Sequence, residues 1–291
     1  HKVKGPFIAT EKLDGIRRIL VKEKGRCRLY SRSGIEDEGL VEIIKEAKYL
    51  PDNTVYDGEL LAIGTYENNI ALRQATNSIA NRKGIRKGVS FNIFDIIPLD
   101  EFKKGKSKYS ALNRKLLLGA MFGDEGIRYL HDDWAKIMVA FDLGYKFKTI
   151  KVVPILGVVN TEEEIAELVA PIWKRGGEGI MLNTFEGCYE LKRSNSLLKV
   201  KYVESMDLKV VDIQEGTGKY EGMLGALVVD YKGYRVGVGS GFSDEERWRF
   251  WDNPEEIIGK IIEIDTFGES KDQFGNVSLS CPIFRGVRYD K

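Results

Sequence analysis

Apolar and polar residues alternate with a period of two through most of the N-terminal third of the chain. Such alternation is typical of β-strands that bury one face. Residues 18–21 and 26–30 alternate on either side of Glu23-Lys24-Gly25 and predict a hairpin, and residues 55–63 and 90–97 predict two further strands. We therefore expect the first domain to be built on sheet.

Helices are expected between these strands, and the clearest one begins at Thr161. The Thr161 hydroxyl and Glu164 have the Thr-x-x-Glu spacing of a capping box, in which the hydroxyl accepts the Glu164 amide. Glycines at 176–177 predict the end of the helix. Its apolar positions fall on one face: Ile165, Leu168, Val169 and Ile172.

After about residue 206 the pattern changes to short strands separated by glycine. Five strands in a segment of this length are typical of a small closed barrel of the OB type. A helical segment, residues 243–251, interrupts them, with Asp244 and Glu245 in its first turn. The predicted strands span residues 208–214, 226–231, 234–238, 260–267 and 282–287.

These patterns predict an α+β chain with two domains. The first, residues 1–205, has sheets with flanking helices, and the second, residues 206–291, is a small all-β OB-fold domain. Charge divides the chain in the same place: residues 206–291 carry 11 basic and 16 acidic side chains, whereas residues 1–205 carry 34 basic and 28 acidic ones. A partner of negative charge is therefore expected mainly on the first domain.

Three basic runs stand out, near residues 82–87, 103–108 and 192–201, each beside glycine or serine. They predict phosphate-facing segments, with ordinary solvated loops as the alternative. Side chains expected to contact nucleic acid are Arg32, Arg82, Lys83, Arg86, Lys87, Lys192 and Arg193.

Composition excludes several classes of protein. No apolar run reaches the roughly 18 residues needed to cross a bilayer. Cys27, Cys188 and Cys281 lie far apart, which excludes a zinc ribbon and favours a reducing compartment, the cytoplasm. With only His1 and His131, any metal is expected to be a hard cation such as Mg²⁺, held by carboxylates. The first residue is His rather than Met, so we expect a processed or trimmed N-terminus.

The segment around Lys12 carries the main candidate chemistry. It places Lys12 in a turn at a sheet edge, after an apolar entry strand and before the strand at residues 18–21. The alternative is an Asp-Gly hairpin turn with a solvated lysine. Its sequence is Glu11-Lys12-Leu13-Asp14-Gly15-Ile16-Arg17.

Further motifs follow Lys12 in a fixed order. They are Ser31-Arg32-Ser33-Gly34, Asp57-Gly58-Glu59-Leu60, Phe91-Asn92-Ile93-Phe94-Asp95, Glu178-Gly179-Ile180-Met181, Lys199-Val200-Lys201 and Arg288-Tyr289-Asp290-Lys291. The series resembles the covalent nucleotidyltransferases, specifically the ATP-dependent DNA ligases. The resemblance covers nearly the whole chain, and residues 216–227 and 241–244 are similar to the OB domain of small bacterial and viral DNA ligases.

The resemblance implies an adenylation domain of antiparallel sheets with flanking helices, and Lys12 as a nucleophile that takes AMP from ATP. An ordinary lysine must first lose its proton, which costs roughly 4 kcal/mol near pH 7.5. Neighbouring cations lower that cost and neutralise the α-phosphate. The cations implied are Lys199, Lys201 and a bound Mg²⁺, for which Mn²⁺ is the expected substitute.

The resemblance also implies roles for other residues. Glu59 is expected chiefly at a ribose hydroxyl and Glu178 chiefly at the divalent ion, with both counted as metal ligands. Arg17 and Arg32 suit a phosphate or a nick terminus. The remaining nucleotide contacts are Thr10 and Glu11 beside the nucleophile and Phe94 as the adenine-stacking face, whereas the residues expected to orient pyrophosphate are Arg288 and Lys291.

The reaction implied has three steps: AMP transfer to Lys12, AMP transfer to the 5′-phosphate of a nick in duplex DNA, and displacement of AMP by the adjoining 3′-hydroxyl. Only eleven residues precede Lys12, so a minimal, monomeric viral or accessory bacterial ligase is expected. Three alternatives stay open. They are an RNA ligase, an mRNA capping guanylyltransferase, in which Asp-Gly is usual where this chain has Glu178-Gly179, and a non-catalytic OB protein that binds nucleic acid.

Overall fold

The computed structural model describes residues 5–122, 145–271 and 275–290. The chain folds into two compact units, His1–Val200 and Lys201–Lys291. Among the described residues, no helix combines the length and the apolar character that crossing a membrane requires.

The first unit contains two sheets. The larger has the strand order β3-β2-β4-β5-β6 and the smaller has the order β7-β1-β8-β9. The described pairings are antiparallel except β5 with β6, which is parallel. The strands are β1 (Phe7–Glu11), β2 (Ile16–Glu23), β3 (Arg26–Ser31), β4 (Thr54–Ala62), β5 (Val89–Pro98), β6 (Ile150–Val152), β7 (Ile155–Val159), β8 (Gly179–Thr184) and β9 (Leu197–Lys201).

The helices of this unit lie between the strands in the chain. The Thr161 hydroxyl accepts the Glu164 amide at 3.2 Å, which confirms the predicted cap of α5. The described helices are α1 (Val41–Ala47), α2 (Asn69–Ala80), α3 (Leu99–Lys103), α4 (Ala111–Met121) and α5 (Glu162–Lys174).

Each sheet has its own apolar core. On the larger sheet, Leu20, Tyr56 and Phe91 pack in one cluster with Ile43 of α1 and Leu117 of α4, and all five are almost completely buried. On the smaller sheet, Phe7, Ala9 and Leu182 pack with Val169 and Ile172 of α5. Burial of this kind contributes roughly 25 cal/mol per Å² of apolar surface. The two cores hold the sheet edges that carry the site.

The second unit is the predicted barrel. Its main sheet has the antiparallel order β12-β11-β10-β13-β16. A bridge between Ser240, just after β12, and Ile283 of β16 joins the two edges of that sheet. The strands are β10 (Glu204–Glu215), β11 (Leu224–Tyr231), β12 (Tyr234–Val238), β13 (Ile261–Thr266), β14 (Glu269–Lys271), β15 (Val277–Leu279) and β16 (Ile283–Val287).

Two details of the second unit refine the expectations from sequence. The helical segment is α6 (Asp244–Asp252), and Ser243 and Glu246 form a complete capping box at its start. The short β14–β15 hairpin was not predicted. The expected domain boundary between residues 205 and 206 falls inside β10, a few residues after the first unit ends at Val200.

A buried carboxylate ties α1 to β6 and generates a stability prediction. The Glu46 carboxylate accepts hydrogen bonds from the backbone N–H groups of Lys148, Thr149 and Ile150 at 2.9, 2.8 and 3.0 Å. We expect Glu46→Ala to lower the free energy of unfolding by about 3 kcal/mol, because three backbone donors, two of them buried, lose their acceptor. Urea denaturation measures this. The neighbouring Glu42→Ala should change stability by less than about 1 kcal/mol, and an equal loss in both variants would contradict the assignment.

Candidate functional site

Lys12 lies directly after β1, where the smaller sheet meets the loop into β2. Its backbone N–H donates to the Gly179 carbonyl at 2.9 Å, which places Lys12 beside the start of β8. The Lys12 Nζ forms an ion pair with the Glu178 carboxylate, and both side chains are only 18% exposed. The solvated hairpin lysine is therefore the wrong interpretation of this motif.

Glu59, on β4, completes an acidic and basic cluster around Lys12. Burial raises the pKa of Glu59 to about 7; the positive charge of Lys12 lowers it and the negative charge of Glu178 raises it. Lys12 and Glu178 therefore both belong to the charged surroundings of Glu59. The cluster thus has one ammonium and two carboxylates, one of which titrates near neutral pH.

Glycine is required at two of the motif positions. A side chain at Gly15 would collide with the Leu60 carbonyl oxygen, and one at Gly58 would collide with the Phe91 ring. The Lys12 loop can therefore lie flat on β4 only because Gly15 has no Cβ. The Asp-Gly pair after Lys12 reflects this close approach rather than a simple hairpin turn.

Arg17 is already engaged by a buried carboxylate. Its Nε donates to Asp57 Oδ1 at 2.8 Å and its Nη2 donates to Asp57 Oδ2 at 2.5 Å, in the bidentate geometry of a strong pair. The Tyr189 hydroxyl donates to the same Oδ2 at 2.8 Å. This pairing raises the pKa of Arg17 and keeps it charged. The Arg17 guanidinium, which the sequence assigned to a phosphate, is thus held by Asp57. The role of Tyr189 was not predicted.

Phe94 is presented by a β-bulge. In the β4–β5 pairing, Asp57 lies opposite Asp95 and Gly58 lies opposite Ile93, so Phe94 is the extra residue. Its ring is half-buried, whereas Ile93 is fully buried. The bulge therefore turns the Phe94 side chain away from the regular alternation of β5.

Two basic residues of α4 hold this bulge in place. The Lys115 Nζ donates to the Phe94 carbonyl. The Arg114 Nε and Nη2 donate to the two oxygens of Asp95 at 2.7 and 3.1 Å. Burial lowers the pKa of Lys115. Sequence reasoning missed both residues, because a basic pair in a helix is usually solvent-exposed.

A cavity of about 640 Å³ opens beside the Lys12 loop. This volume is in the range of small-molecule sites. Three parts of the first unit line it: the Lys12 loop, through Gly15, the Ser31–Ser33 motif, and Glu59 on β4. The polar residues that line it are Arg17, Arg18, Ser31, Arg32, Ser33 and Glu59.

Thr10 and Glu11 occupy the end of β1. Thr10 is buried, with 2% of its surface exposed. The Glu11 carboxylate accepts a hydrogen bond from Arg175 Nη2 at 2.5 Å. Asp14, in the Lys12 loop, pairs with Arg73 of α2 at 3.3 Å. Arg73 and Arg175 thus contact neighbours of Lys12, and neither was predicted.

The predicted residues near the end of the chain are in different surroundings. Lys199 is exposed on β9, and Lys201 is the first residue of the second unit, where its Nζ lies 4.8 Å from the centre of the Phe267 ring. Arg288 donates to Asp290 at 2.8 Å and to Asp207 at 3.2 Å. Lys291 lies outside the described residues. The roles expected for these four side chains stay predictions.

The predicted nucleic-acid contacts divide into two groups. The exposed ones are Arg32, Arg82, Lys83, Lys87, Lys192 and Arg193. Arg86 is different, because its guanidinium is nearly buried and paired with Asp37. The expectation that Arg86 presents its charge to solvent is corrected here, since a buried carboxylate holds it.

The described residues contain no group of three or more His, Cys, Asp or Glu side chains arranged for a metal ion. Glu59 and Glu178 still fit Mg²⁺ in their chemistry. This ion prefers oxygen ligands and is usually bound by one or two carboxylates together with substrate phosphates.

Comparisons with known proteins agree with this arrangement. Residues 1–201 match the family model "ATP dependent DNA ligase domain", and residues 215–288 match "DNA ligase OB-like domain". The DNA ligases of Enterobacteria phages T6 and T4 are each 26% identical over 99% of this chain and 66% of the relative. The chain thus spans about two thirds of the length of these curated relatives.

Solved structures show the same fold. The structure named "Pmar-Lig_PreS3" is 29% identical, with a TM-score of 0.78, and the match covers 98% of this chain and 64% of that one. A structure described as "DNA binding with a minimal scaffold: Structure-function analysis of Lig E DNA ligases" is 22% identical, with a TM-score of 0.66 over 99% and 94% of the two chains. The second likeness concerns the fold alone.

The raised pKa of Glu59 generates a prediction about stability. The native state keeps a proton on Glu59 up to about pH 7, whereas the unfolded state releases it near pH 4.5, so this group's contribution to stability falls as pH rises between those values. Glu59→Gln removes that loss. In metal-free buffer, we expect the free energy of unfolding of the variant, measured relative to the wild type, to rise by about 2 kcal/mol from pH 5 to pH 8. Urea unfolding at both pH values measures it, and a gain independent of pH would contradict the prediction.

Proposed function

Because this chain belongs to the family of ATP-dependent DNA ligases, we propose that it seals nicks in duplex DNA, joining a 5′-phosphate to a 3′-hydroxyl at the expense of ATP. The observation that carries the proposal is the environment of Lys12. A half-buried amine paired with the Glu178 carboxylate and acting electrostatically on Glu59, beside a cavity lined with arginine and serine residues, suits capture of a nucleotide phosphate.

In the first step, the Lys12 Nζ attacks the α-phosphate of ATP. A nitrogen–phosphorus bond forms, the bond to the β-phosphate oxygen breaks, and pyrophosphate leaves. Lys12 begins this step paired with Glu178, so the amine must leave that carboxylate and lose its proton to solvent. The product is a phosphoramidate between Lys12 and AMP.

In the second step, an oxygen of the 5′-phosphate at the nick attacks the AMP phosphorus, and Lys12 leaves as an amine that takes up a proton. In the third step, the 3′-hydroxyl attacks the same 5′-phosphate and AMP leaves. The 3′-hydroxyl loses its proton, and the new phosphodiester closes the strand. Positioning and charge neutralisation do most of the catalytic work in such transfers.

Several side chains are proposed to bind the nucleotide. Phe94, turned out by the bulge, offers its ring to adenine. Burial raises the pKa of Glu59 to about 7, so near that pH it can donate to a ribose hydroxyl when protonated or accept from one as a carboxylate. The exposed Arg32 suits the phosphate of the nick, since it is one of the residues that line the cavity.

Mg²⁺ is proposed to bind at Glu178 and Glu59, together with phosphate oxygens of the substrate. When bound, it neutralises phosphate charge. In the structure the cation paired with Glu178 is the ammonium of Lys12. Glu178 would have to leave Lys12 in order to hold the ion.

A first prediction separates the three steps. We expect Lys12→Ala to form no AMP adduct with ATP and Mg²⁺, as measured by intact mass, because its side chain has no nucleophile. The same variant should still seal a nick whose 5′-phosphate already carries AMP, because the third step does not use the amine of Lys12. Formation of the adduct in Lys12→Ala would assign the nucleophile elsewhere.

A second prediction concerns the bulge. Lys115→Met should raise the KM for ATP in Lys12–AMP formation by about tenfold, because the Phe94 carbonyl loses its donor and the ring loses its position. The effect should be much smaller in a Phe94→Leu background, since Lys115 acts through Phe94.

The chain offers a matched control for this test. Lys22 is also a buried lysine, and its Nζ donates to the carbonyls of Lys48 and Leu50, away from the bulge. Lys22→Met should lower stability to a similar extent and leave the KM for ATP unchanged. An equal rise in KM in both lysine variants would mean that Lys115 has only a structural role.

A further inference from the structure

Two segments of the first unit carry its most exposed apolar side chains. Ile35 lies between β3 and α1, and Ile85 lies between α2 and β5. They are 69% and 70% exposed, more than any other large apolar side chain described in this unit. The two loops that carry them lie against each other through Arg86 and Gly39, and exposed apolar side chains on neighbouring loops suit a contact surface.

Arg86 joins these two segments from within. Its Nη2 pairs with Asp37 Oδ1, and its backbone N–H donates to the Gly39 carbonyl at 2.8 Å. The other oxygen of Asp37 accepts from Arg18 Nε at 3.0 Å, which ties the junction to β2. The Arg86 Nη1 donates to the Ala80 carbonyl at the end of α2. Both segments are therefore held by one buried ion pair.

Gly39 shows how closely the two segments approach. A Cβ at Gly39 would overlap both the Gly84 carbonyl oxygen and the Arg86 guanidinium. The approach therefore requires glycine at this position. Since any side chain there would separate the segments, Gly39→Ala provides a way to disturb their spacing without removing a charge.

The exposed charge around the two isoleucines is mainly basic. Arg82, Lys83 and Lys87 surround Ile85 in the chain, and Arg32 precedes Ile35. Some of this charge is locally balanced. Lys87 lies 3.6 Å from Glu42, and Glu36, beside Ile35, lies 3.8 Å from Arg28. Glu38 is also exposed. Within the described part of the chain, Arg32, Arg82 and Lys83 form no salt bridge, and their cationic groups suit phosphates.

We propose that residues 32–37 and 82–88 form one surface, the paired-loop surface, that binds duplex DNA beside the cavity. The inference rests on the proposed function for the identity of its partner. The basic side chains contact phosphates, and Ile35 and Ile85 pack against sugars at the edge of the minor groove. Arg86 and Asp37 are positioning residues. Arg32 belongs both to this surface and to the cavity wall, so DNA bound here has a phosphate at the cavity.

The test is binding of a nicked duplex to the full chain, measured by fluorescence anisotropy over a range of salt concentrations. Lys83→Ala should flatten the plot of log K against log salt by about one unit, the loss of one phosphate contact. Ile85→Ala should weaken binding about fivefold with the slope unchanged, because it removes apolar contact only. Gly39→Ala should weaken binding about tenfold and also flatten the slope, because it moves both segments apart.

Two controls come from the same unit. Lys174, exposed on α5, and Val158, exposed on the edge strand β7, lie outside both segments. Lys174→Ala and Val158→Ala should bind as the wild type does. The proposal is overturned if Lys83→Ala and Ile85→Ala bind as the wild type does, or if the two controls weaken binding equally. Because Lys83 and Ile85 are exposed, these variants test the surface even if Gly39→Ala fails to fold.

Failure of the proposed function would look different. Lys12–AMP formation by the unaltered chain is measured separately, without DNA. If the adduct forms but the surface variants bind normally, the paired-loop surface is wrong and the proposed function stands. If no adduct forms while the surface variants lose affinity, the surface binds DNA for another purpose.

Discussion

The site depends on one junction, where the end of β1 meets the start of β8. The Lys12 N–H bonds the Gly179 carbonyl, and this backbone contact places the Lys12 amine beside the Glu178 carboxylate. The two residues are 166 positions apart in the chain, so only the antiparallel pairing of β1 with β8 brings them together. The pairing of β2 with β4 sets Glu59 beside the same loop, opposite Arg17. Two separate sheets therefore meet at one amine.

Buried charge behind the site is arranged in matched groups. Asp57 and Asp95 lie opposite each other on β4 and β5, and both are almost fully buried. An isolated buried carboxylate would be costly, so each is paired with an arginine. Arg17 forms a salt bridge with Asp57, and Arg114 forms one with Asp95. The same arginines reach the segment before β9, since Arg17 donates to the Tyr189 hydroxyl and Arg114 donates to the Gly187 carbonyl. This network couples the shape of the Phe94 bulge to the strand that carries Glu59.

Sequence predicted what is encoded by local periodicity. The hairpin of β2 and β3, strands β4 and β5, the Thr161 cap and the five-stranded barrel are confirmed. The short helices α1 to α4 were expected only in general terms, because they lack a long apolar repeat. The position of Lys12 next to Glu178 follows from pairing across the whole first unit. The order of the motifs implied this proximity only through the resemblance to a known family. The local sequence around each residue could not establish it.

Basic residues show most clearly where sequence reasoning ends. Arg82 and Arg86 belong to one short run and have the same chemistry, yet Arg82 is exposed and Arg86 is buried against Asp37. Which of them meets solvent depends on Asp37 and Gly39, residues more than forty positions earlier in the chain. The same holds in α4, where Arg114 and Lys115 turn inward to serve Asp95 and the Phe94 carbonyl. A basic run therefore specifies two kinds of role, contact with a phosphate and support of the loop that makes that contact, and the location of a buried acceptor decides between them.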